Sequence, residues 1–281
     1  MGKGDLEQVD EINMTEQVNL AGKSSSKPRM ILYLVLTAVL WSTGGFFIKA
    51  VDVSPLAIAG VRSLISALLI LATIRKPKFS WSWPQIGAAF AYAATLLLFV
   101  VATKLTTSAN AILIQYSAPI YAAFLGAWIL KERLKPLDII TIFTVLFGIF
   151  LFFIDSISFD GFLGNLLAAL SGFTFGSFAV LMRMQKEGSP IESVLLGNII
   201  VAAFGLPFLS LQMPDAKGWL YMVIMGVLQL GLPYILYSKA IKHVTALEAT
   251  LIPVLEPILN PVWVFILVGE APGKWAIVGG V

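Results

Sequence analysis

Apolar residues run in long blocks separated by short charged clusters. Uncharged stretches occupy 30–48, 79–103, 105–130, 139–154, 161–182, 193–214 and 218–238. Two further apolar blocks hold a single charge each: 53–74 contains Arg62 and 249–269 contains Glu256. A helix crossing a bilayer core needs about 20 residues at ~1.5 Å each, and these blocks meet or approach that length. The shortest, 139–154, is expected to borrow Leu137 and its neighbours. None alternates with the two-residue period of a membrane barrel strand, so the pattern predicts nine helical spans. A tenth apolar run starts at Trp275 and reaches Val281. It covers about a third of a bilayer core, and is expected to be the start of a further span through which this chain is cut.

Residues 1–29 differ in kind. They hold Asp5, Glu7, Asp10, Glu11, Glu16 and a Ser24-Ser25-Ser26 run, with almost no periodic apolar positions. The segment is expected to be a disordered polar tail on the cytoplasmic side. It lacks the short basic region and apolar core of a signal peptide, so the first span is expected to remain as an anchor.

Composition narrows the class. Of 281 residues, 58% are apolar and 12% charged, against roughly 45–50% and 25% in soluble domains. That excludes a disordered chain and argues against a water-soluble enzyme; an all-α integral membrane protein remains. The net charge of +3 is no sign of nucleic acid, because the basic residues sit in clusters between spans. Placing the N-terminus in the cytoplasm puts 14 Lys and Arg on the inner side and four on the outer, with Arg62 left in the membrane. This is a positive-inside bias, and predicts a multi-pass protein of the cell membrane. There is no cysteine and one histidine, His243, so neither a disulfide nor a metal site is expected, and no cofactor.

The chain also resembles itself. At an offset of 138, residues 107–132 lie over 245–270 without a gap, pairing Thr107/Thr245, Pro119/Pro257 and Glu132/Glu270. The match extends back to Lys104/Lys242, and at an offset of 135 Ser54-Pro55 lies over Ser189-Pro190. Leu and Ile pairs recur by chance in apolar sequence; the Pro, Glu, Lys and Ser-Pro pairs carry more weight. Each half holds five spans, an odd number, so the second half enters from the opposite side. The expectation is a bundle of two inverted five-helix repeats, 30–154 and 155–281, with the tenth helix incomplete. Inverted repeats are the architecture of many secondary transporters.

The segments AGVRSLISALLIL, TSANAILIQYSAPIYAAFLGAWILKERL and TALEATLIPVLEPILNPVWVFILVGEAP resemble the EamA-type proteins of the drug/metabolite transporter superfamily. The resemblance covers roughly 30–281, and its most telling part is a Pro midway along a span with a Glu at its end, as in Pro119…Glu132 and Pro257…Glu270. It implies a ten-helix bundle that moves small organic molecules, often outward.

Polar groups within spans are the candidate site residues. Glu256 is the eighth residue of 249–269, about 10 Å below the boundary of a regular helix. An ionised carboxylate is costly there, so Glu256 is expected either at a wet proton- or substrate-binding site or protonated as glue between helices. Pro253, Pro257 and Pro261 each free the carbonyl four positions earlier. Asn260 lies one turn beyond Glu256. Together these keep the helix off lipid. In span four, Asn110, Ser117 and Tyr121 share a face with Gln115 and Tyr116 beside it, lining a cavity or hydrogen-bonding between helices. Gln229, Tyr234 and Tyr237 in span eight are further cavity candidates, bent by Pro233. Arg62 either contacts substrate carboxylates or caps carbonyls and snorkels outward, the second being the commoner solution. Gly44-Gly45 and the GxxxG at Gly172 and Gly176 predict close helix packing. Trp81, Trp83, Trp128, Trp219 and Trp275 read as interfacial anchors, and Trp41 and Trp263 lie deeper. Lys131, Glu132, Arg133 and Lys135 read as a solvated turn.

The expected function is export or exchange of small organic metabolites, amino-acid-like or amphipathic, by alternating access, with protons as a candidate coupling ion. A passive facilitator or channel is the alternative, and an intramembrane enzyme a remote one, since no nucleophile–base pair or paired acids stand at depth. No GxxxxGK[ST] motif is present to bind ATP.

Overall fold

The computed structural model describes residues 27–154 and 161–259, with 275, 278 and 279. The polar tail to residue 26, Asn260, Pro261, Trp263, Glu270 and most of the tenth span lie outside the described residues. Within them the chain is helical and contains no strand. The helices are α1 over 27–50, interrupted at 42 and 43; α2, Pro55–Ile74; α3, Trp83–Leu105; α4, Ala109–Leu130; α5, Pro136–Phe153; α6, Phe162–Met184; α7, Ile191–Leu211; α8, Ala216–Ala240; and α9, described over 246–259. Six of these, α2, α3, α4, α6, α7 and α8, are long and apolar enough to cross a bilayer.

The helices form where the apolar blocks predict, because a helix satisfies every backbone group inside its own segment. Starts are set by proline and by side-chain caps. Pro55, Pro84 and Pro136 stand in first turns, where the missing N–H costs nothing. Asp138 accepts from the Lys135 N–H at 2.8 Å, which starts α5 at Pro136 and brings Leu137 into the short block. Thr245 and Glu248 cap each other at the start of α9.

The bundle is polar within and apolar without. Ser63, Ser66, Thr95, Ser171, Asn198 and Thr250 are buried, whereas Leu68, Phe90, Phe124, Phe143 and Phe147 are exposed. Such a surface has no stable place in water and fits lipid chains. The chain is a multi-pass membrane protein. Trp81, Trp83, Trp128, Trp219 and Trp275 are exposed near helix ends, where an amphipathic indole rests at the bilayer interface.

Small residues set how closely the helices approach. The most extensive contact is α3 with α6; α2 packs on α7 and α8, α3 on α7, and α4 on α6 and α9. A Cβ on Gly205 would stand 2.7 Å from the Gly60 Cα, so α2 and α7 cross backbone to backbone. The GxxxG pair does the same for α6 and α4: a Cβ on Gly172 would stand 2.6 Å from Ser117 Oγ, and one on Gly176 2.8 Å from the Ala118 carbonyl. Gly205→Ala is therefore expected to lower stability by about 1–3 kcal/mol, as overpacking does. Thermal unfolding in detergent checks it against Gly188→Ala, where the nearest atom to the new methyl is 3.5 Å away.

Hydrogen bonds gather the loops at two ends. At the basic end, Lys27 pairs with Glu248, Arg183 with Glu132, Lys242 donates to the Gly188 carbonyl, and the Lys78 N–H donates to Glu192. At the other, Gln212 donates to the Asp52 carbonyl, Lys104 to the Val51 carbonyl, and Thr106 to Asn165. Lys131–Lys135 is not the free turn the sequence suggests. Glu132 is largely buried between Arg183 and the Ala246 N–H.

Candidate functional site

Midway between the ends, α1, α2, α3, α4, α6, α8 and α9 line a cavity of about 50 Å³, room for a water or two. Its walls carry both in-membrane charges, Arg62 and Glu256, with Gln115, Gln229, Thr95, Tyr116 and Tyr234, and apolar Trp41, Leu96, Phe99, Phe175 and Leu230.

Helix irregularities bring these residues to the wall. Ser42 and Thr43 turn their hydroxyls back on the Val39 and Leu40 carbonyls and interrupt α1 beside Trp41. That break was not expected from the sequence. Beyond it, Gly44 leaves the space that the Gln229 side chain fills. Pro119 has no N–H for the Gln115 carbonyl, and α4 breaks at Tyr116 and Ser117. Pro233 likewise deprives the Gln229 carbonyl, and α8 widens into a π-helical segment over Met225–Gly231. Pro253 and Pro257 tighten α9 to a 3-10 turn over Ile252–Val254.

The polar contacts join these broken places. Tyr116 Oη lies 2.8 Å from the Pro253 carbonyl and 2.7 Å from Glu256 Oε2. The carbonyl is the one Pro257 deprives of its helical donor. The breaks of α4 and α9 are thus tied by one phenol, which also reaches the carboxyl. Arg62 is 1% exposed and donates from Nη1 to Gln229 Oε1 at 2.8 Å, while its Nε is buried without a partner. It neither snorkels to the surface nor caps a carbonyl; it faces the cavity. No carboxylate lies within ion-pair distance of it among the described residues. Gln115 donates to Ser171 at 2.6 Å, and Ser171 donates to the Thr95 carbonyl. Trp41 packs tilted against Tyr234 at 5.1 Å between ring centres, and Tyr92 meets Tyr234 edge to face at 4.7 Å.

Other sequence candidates, Asn110, Ser117, Tyr121 and Tyr237, lie outside the lining. Asn110 is buried near the far end of α4, where its amide donates to Asn165 and Thr106 and its N–H to Thr107. It binds α4 to α6. Tyr121 packs edge-on against Phe173, 5.4 Å between ring centres. Tyr237 is wholly buried among the rings without reaching the cavity. Conversely Trp41, Thr95, Phe99 and Phe175 line it; of these only Trp41 had a signal, its depth in an otherwise apolar span.

The EamA-like transporter family matches this sequence twice, over residues 28–154 and 162–281. The chain belongs to that family. As an EamA-like protein it is a member of a membrane transporter family, and several relatives are named as transporters or solute carriers. The human solute carrier family 35 member G1 is 24% identical over 282 residues, covering 89% of this chain and 75% of that one. The uncharacterized transporter YwfM of Bacillus subtilis is 26% identical over 260 residues, 87% and 88% of the two chains. An uncharacterized transporter of Archaeoglobus fulgidus is 23% identical over 248 residues, 88% and 90%. A crystal structure 20% identical in sequence superposes with a TM-score of 0.79 over 90% of this chain and 94% of its own, so the two share a fold.

Proposed function

We propose that this EamA-like protein is a secondary transporter that exports or exchanges small organic metabolites, amino-acid-like or amphipathic, by alternating access. The observation that carries the reading is the central cavity: both in-membrane charges converge on it, and α1, α4, α8 and α9 are each irregular where they reach it. Irregular backbone at membrane depth is tolerated where it lines a cavity, and discontinuous helices at the midplane are how many transporters build their sites.

The two halves are read as inverted repeats of five spans, 30–154 and 155–281, ten in all. Two features support this. The family match falls once on each half. The contacts also exchange under the sequence correspondence: with α2 matched to α7 and α3 to α8, the pairing of α3 with α7 becomes that of α8 with α2. Rocking of one half on the other would open the cavity to each side in turn. The N-terminus is assigned to the cytoplasm, with the Lys- and Arg-rich end inward in the cell membrane and lipid around the bundle. Glu256 is assigned the coupling proton.

The absence of cysteine gives the test a silent background. Leu230→Cys places one thiol on the cavity wall. In reconstituted vesicles an impermeant thiol reagent is expected to label it from either side, and transported substrate is expected to shift labelling from one side to the other. Labelling from both sides that substrate does not redistribute indicates a channel, and no labelling from either overturns the reading.

A further inference from the structure

On the cavity wall Arg62 touches no carboxylate among the described residues, and that points to a class of substrate. Arg62 is fully buried, keeps its proton at any ordinary pH, and presents five N–H donors in a rigid fork. Among the described residues it has one acceptor, Gln229 Oε1, which is neutral, and Nε is left without a partner. Burying a cation without a counter-ion is among the costliest arrangements in a protein, more so at membrane depth. An unfilled guanidinium on a cavity wall has the geometry that carboxylates, phosphates and sulfonates match with two parallel hydrogen bonds.

We infer that the transported molecule carries an anionic group that pairs with Arg62, and that it travels with a proton on Glu256. This rests on the cavity being the transport site. Among the described residues the titratable groups around it are Arg62 on α2, Tyr116 on α4, Tyr234 on α8 and Glu256 on α9, with Tyr92 on α3 beside Arg62. The tyrosines are neutral, so the balance lies between Arg62 and Glu256. Proton and anion absent, guanidinium and carboxylate cancel. Proton and anion both present, the anion replaces the carboxylate as counter-ion and the total is again zero. Each remaining combination leaves a net charge in the membrane. The two neutral states are the ones that cross, which makes the cycle an electroneutral cotransport of proton and organic anion, its direction set by the two gradients. The hydrogen bonds agree. The Tyr116 phenol has one hydrogen, which it gives to the Pro253 carbonyl or to an ionised Glu256, and a protonated Glu256 can donate to the phenol in turn, so the contact accommodates both protonation states.

The test uses the full chain in detergent, with acetate, succinate and inorganic phosphate as probes, their amides acetamide and succinamide as neutral counterparts, and glycine as a zwitterion. Binding is read from thermal stabilisation and Trp fluorescence, with Trp41→Phe to assign the signal from the cavity wall. One or more anions are expected to bind saturably and the amides not. Binding is expected to weaken as pH rises and to become independent of pH in Glu256→Gln. Arg62→Gln is expected to weaken it at least about 30-fold, the usual cost of removing one partner of a buried charge pair. Gln229→Glu guards against misfolding: it supplies a carboxylate at the acceptor position 2.8 Å from Nη1, and is expected to raise the melting temperature while removing anion binding. No saturable binding of any anion, or a preference for glycine that grows with pH, overturns the inference. Anion binding in a protein whose Leu230→Cys thiol is never labelled would sink the transport reading and leave the anion site standing.

Discussion

With the Glu256→Gln variant in proteoliposomes, substrate is expected still to equilibrate down its own gradient but no longer to be concentrated by a proton gradient. A difference of about two pH units stores roughly 2.7 kcal/mol per proton, enough for accumulation of up to ~100-fold when one proton moves with each substrate. The wild-type protein is expected to approach that value and the variant to stay near equality. The choice of glutamine matters. Its amide can donate to the Tyr116 oxygen as a protonated carboxyl does, so the contact of 2.7 Å between α9 and α4 is preserved while no proton can leave. The variant is held in the protonated form rather than broken.

Tyr116→Phe separates the proton from the scaffold. It removes the donor to the Pro253 carbonyl, which Pro257 has already deprived of its helical partner, and an unsatisfied buried acceptor costs about 1–3 kcal/mol. The variant is expected to unfold at lower temperature yet retain some proton-driven accumulation, since Glu256 can still titrate. Accumulation by Glu256→Gln equal to wild type removes Glu256 from the coupling.

What the sequence made legible follows the kind of signal involved. The spans could be read because twenty apolar residues in a row have few other fates, and the helices from α2 to α8 begin and end within a few residues of the blocks that predict them. Glu256, Arg62, Gln115 and Gln229 stood out as polar groups in apolar surroundings, and all four reach the cavity. Asn110 and Tyr121 stood out for the same reason and do not, because a polar side chain in a span is as easily placed by a neighbouring helix's hydrogen bond or ring. Telling them apart needs the azimuth of each helix, and the break at Tyr116 resets that azimuth midway along α4. The aromatic part of the wall was hidden for a different reason. Phe175 and Phe99 are ordinary residues of apolar blocks, and only the close approach allowed by Gly172 and Gly176 brings α6 near enough to α4 for Phe175 to matter. Glu132 was misread as solvated because sequence spacing cannot show that Arg183, 51 residues away, folds back onto it.

That last residue supports the second large effect. Glu132 Oε1 accepts from Arg183 Nε at 3.2 Å and Oε2 from the Ala246 N–H at 3.1 Å, while Arg183 Nη1 donates to the Ile241 and Lys242 carbonyls. The ends of α4 and α6 are thereby fastened to the link between α8 and α9 and to the first turn of α9. These segments belong to both halves and meet at the basic end, so on the proposed alternating-access cycle the fastening is expected to break when the cavity opens there. Both side chains are less than a fifth exposed, which shields the pair from the screening that makes surface ion pairs weak. Charge-assisted hydrogen bonds of this kind contribute about 1.5–3 kcal/mol. Glu132→Ala is therefore expected to shift the population toward the form open at the basic end by tenfold or more, about 1.4 kcal/mol being one decade. Ala123 lines a recess of about 220 Å³ beside Glu132 and is 6% exposed. Ala123→Cys is then the reporter, and its thiol-labelling rate from that face should rise by the same factor in the Glu132→Ala background. Arg183→Gln should act in the same direction, and the double variant should open by less than the sum of the two single effects, because the Glu132–Arg183 contact is shared while Ala246, Ile241 and Lys242 are each held by one partner alone. A melting temperature lowered by Glu132→Ala with the labelling rate unchanged would make the pair a structural staple and leave the gate to be sought elsewhere.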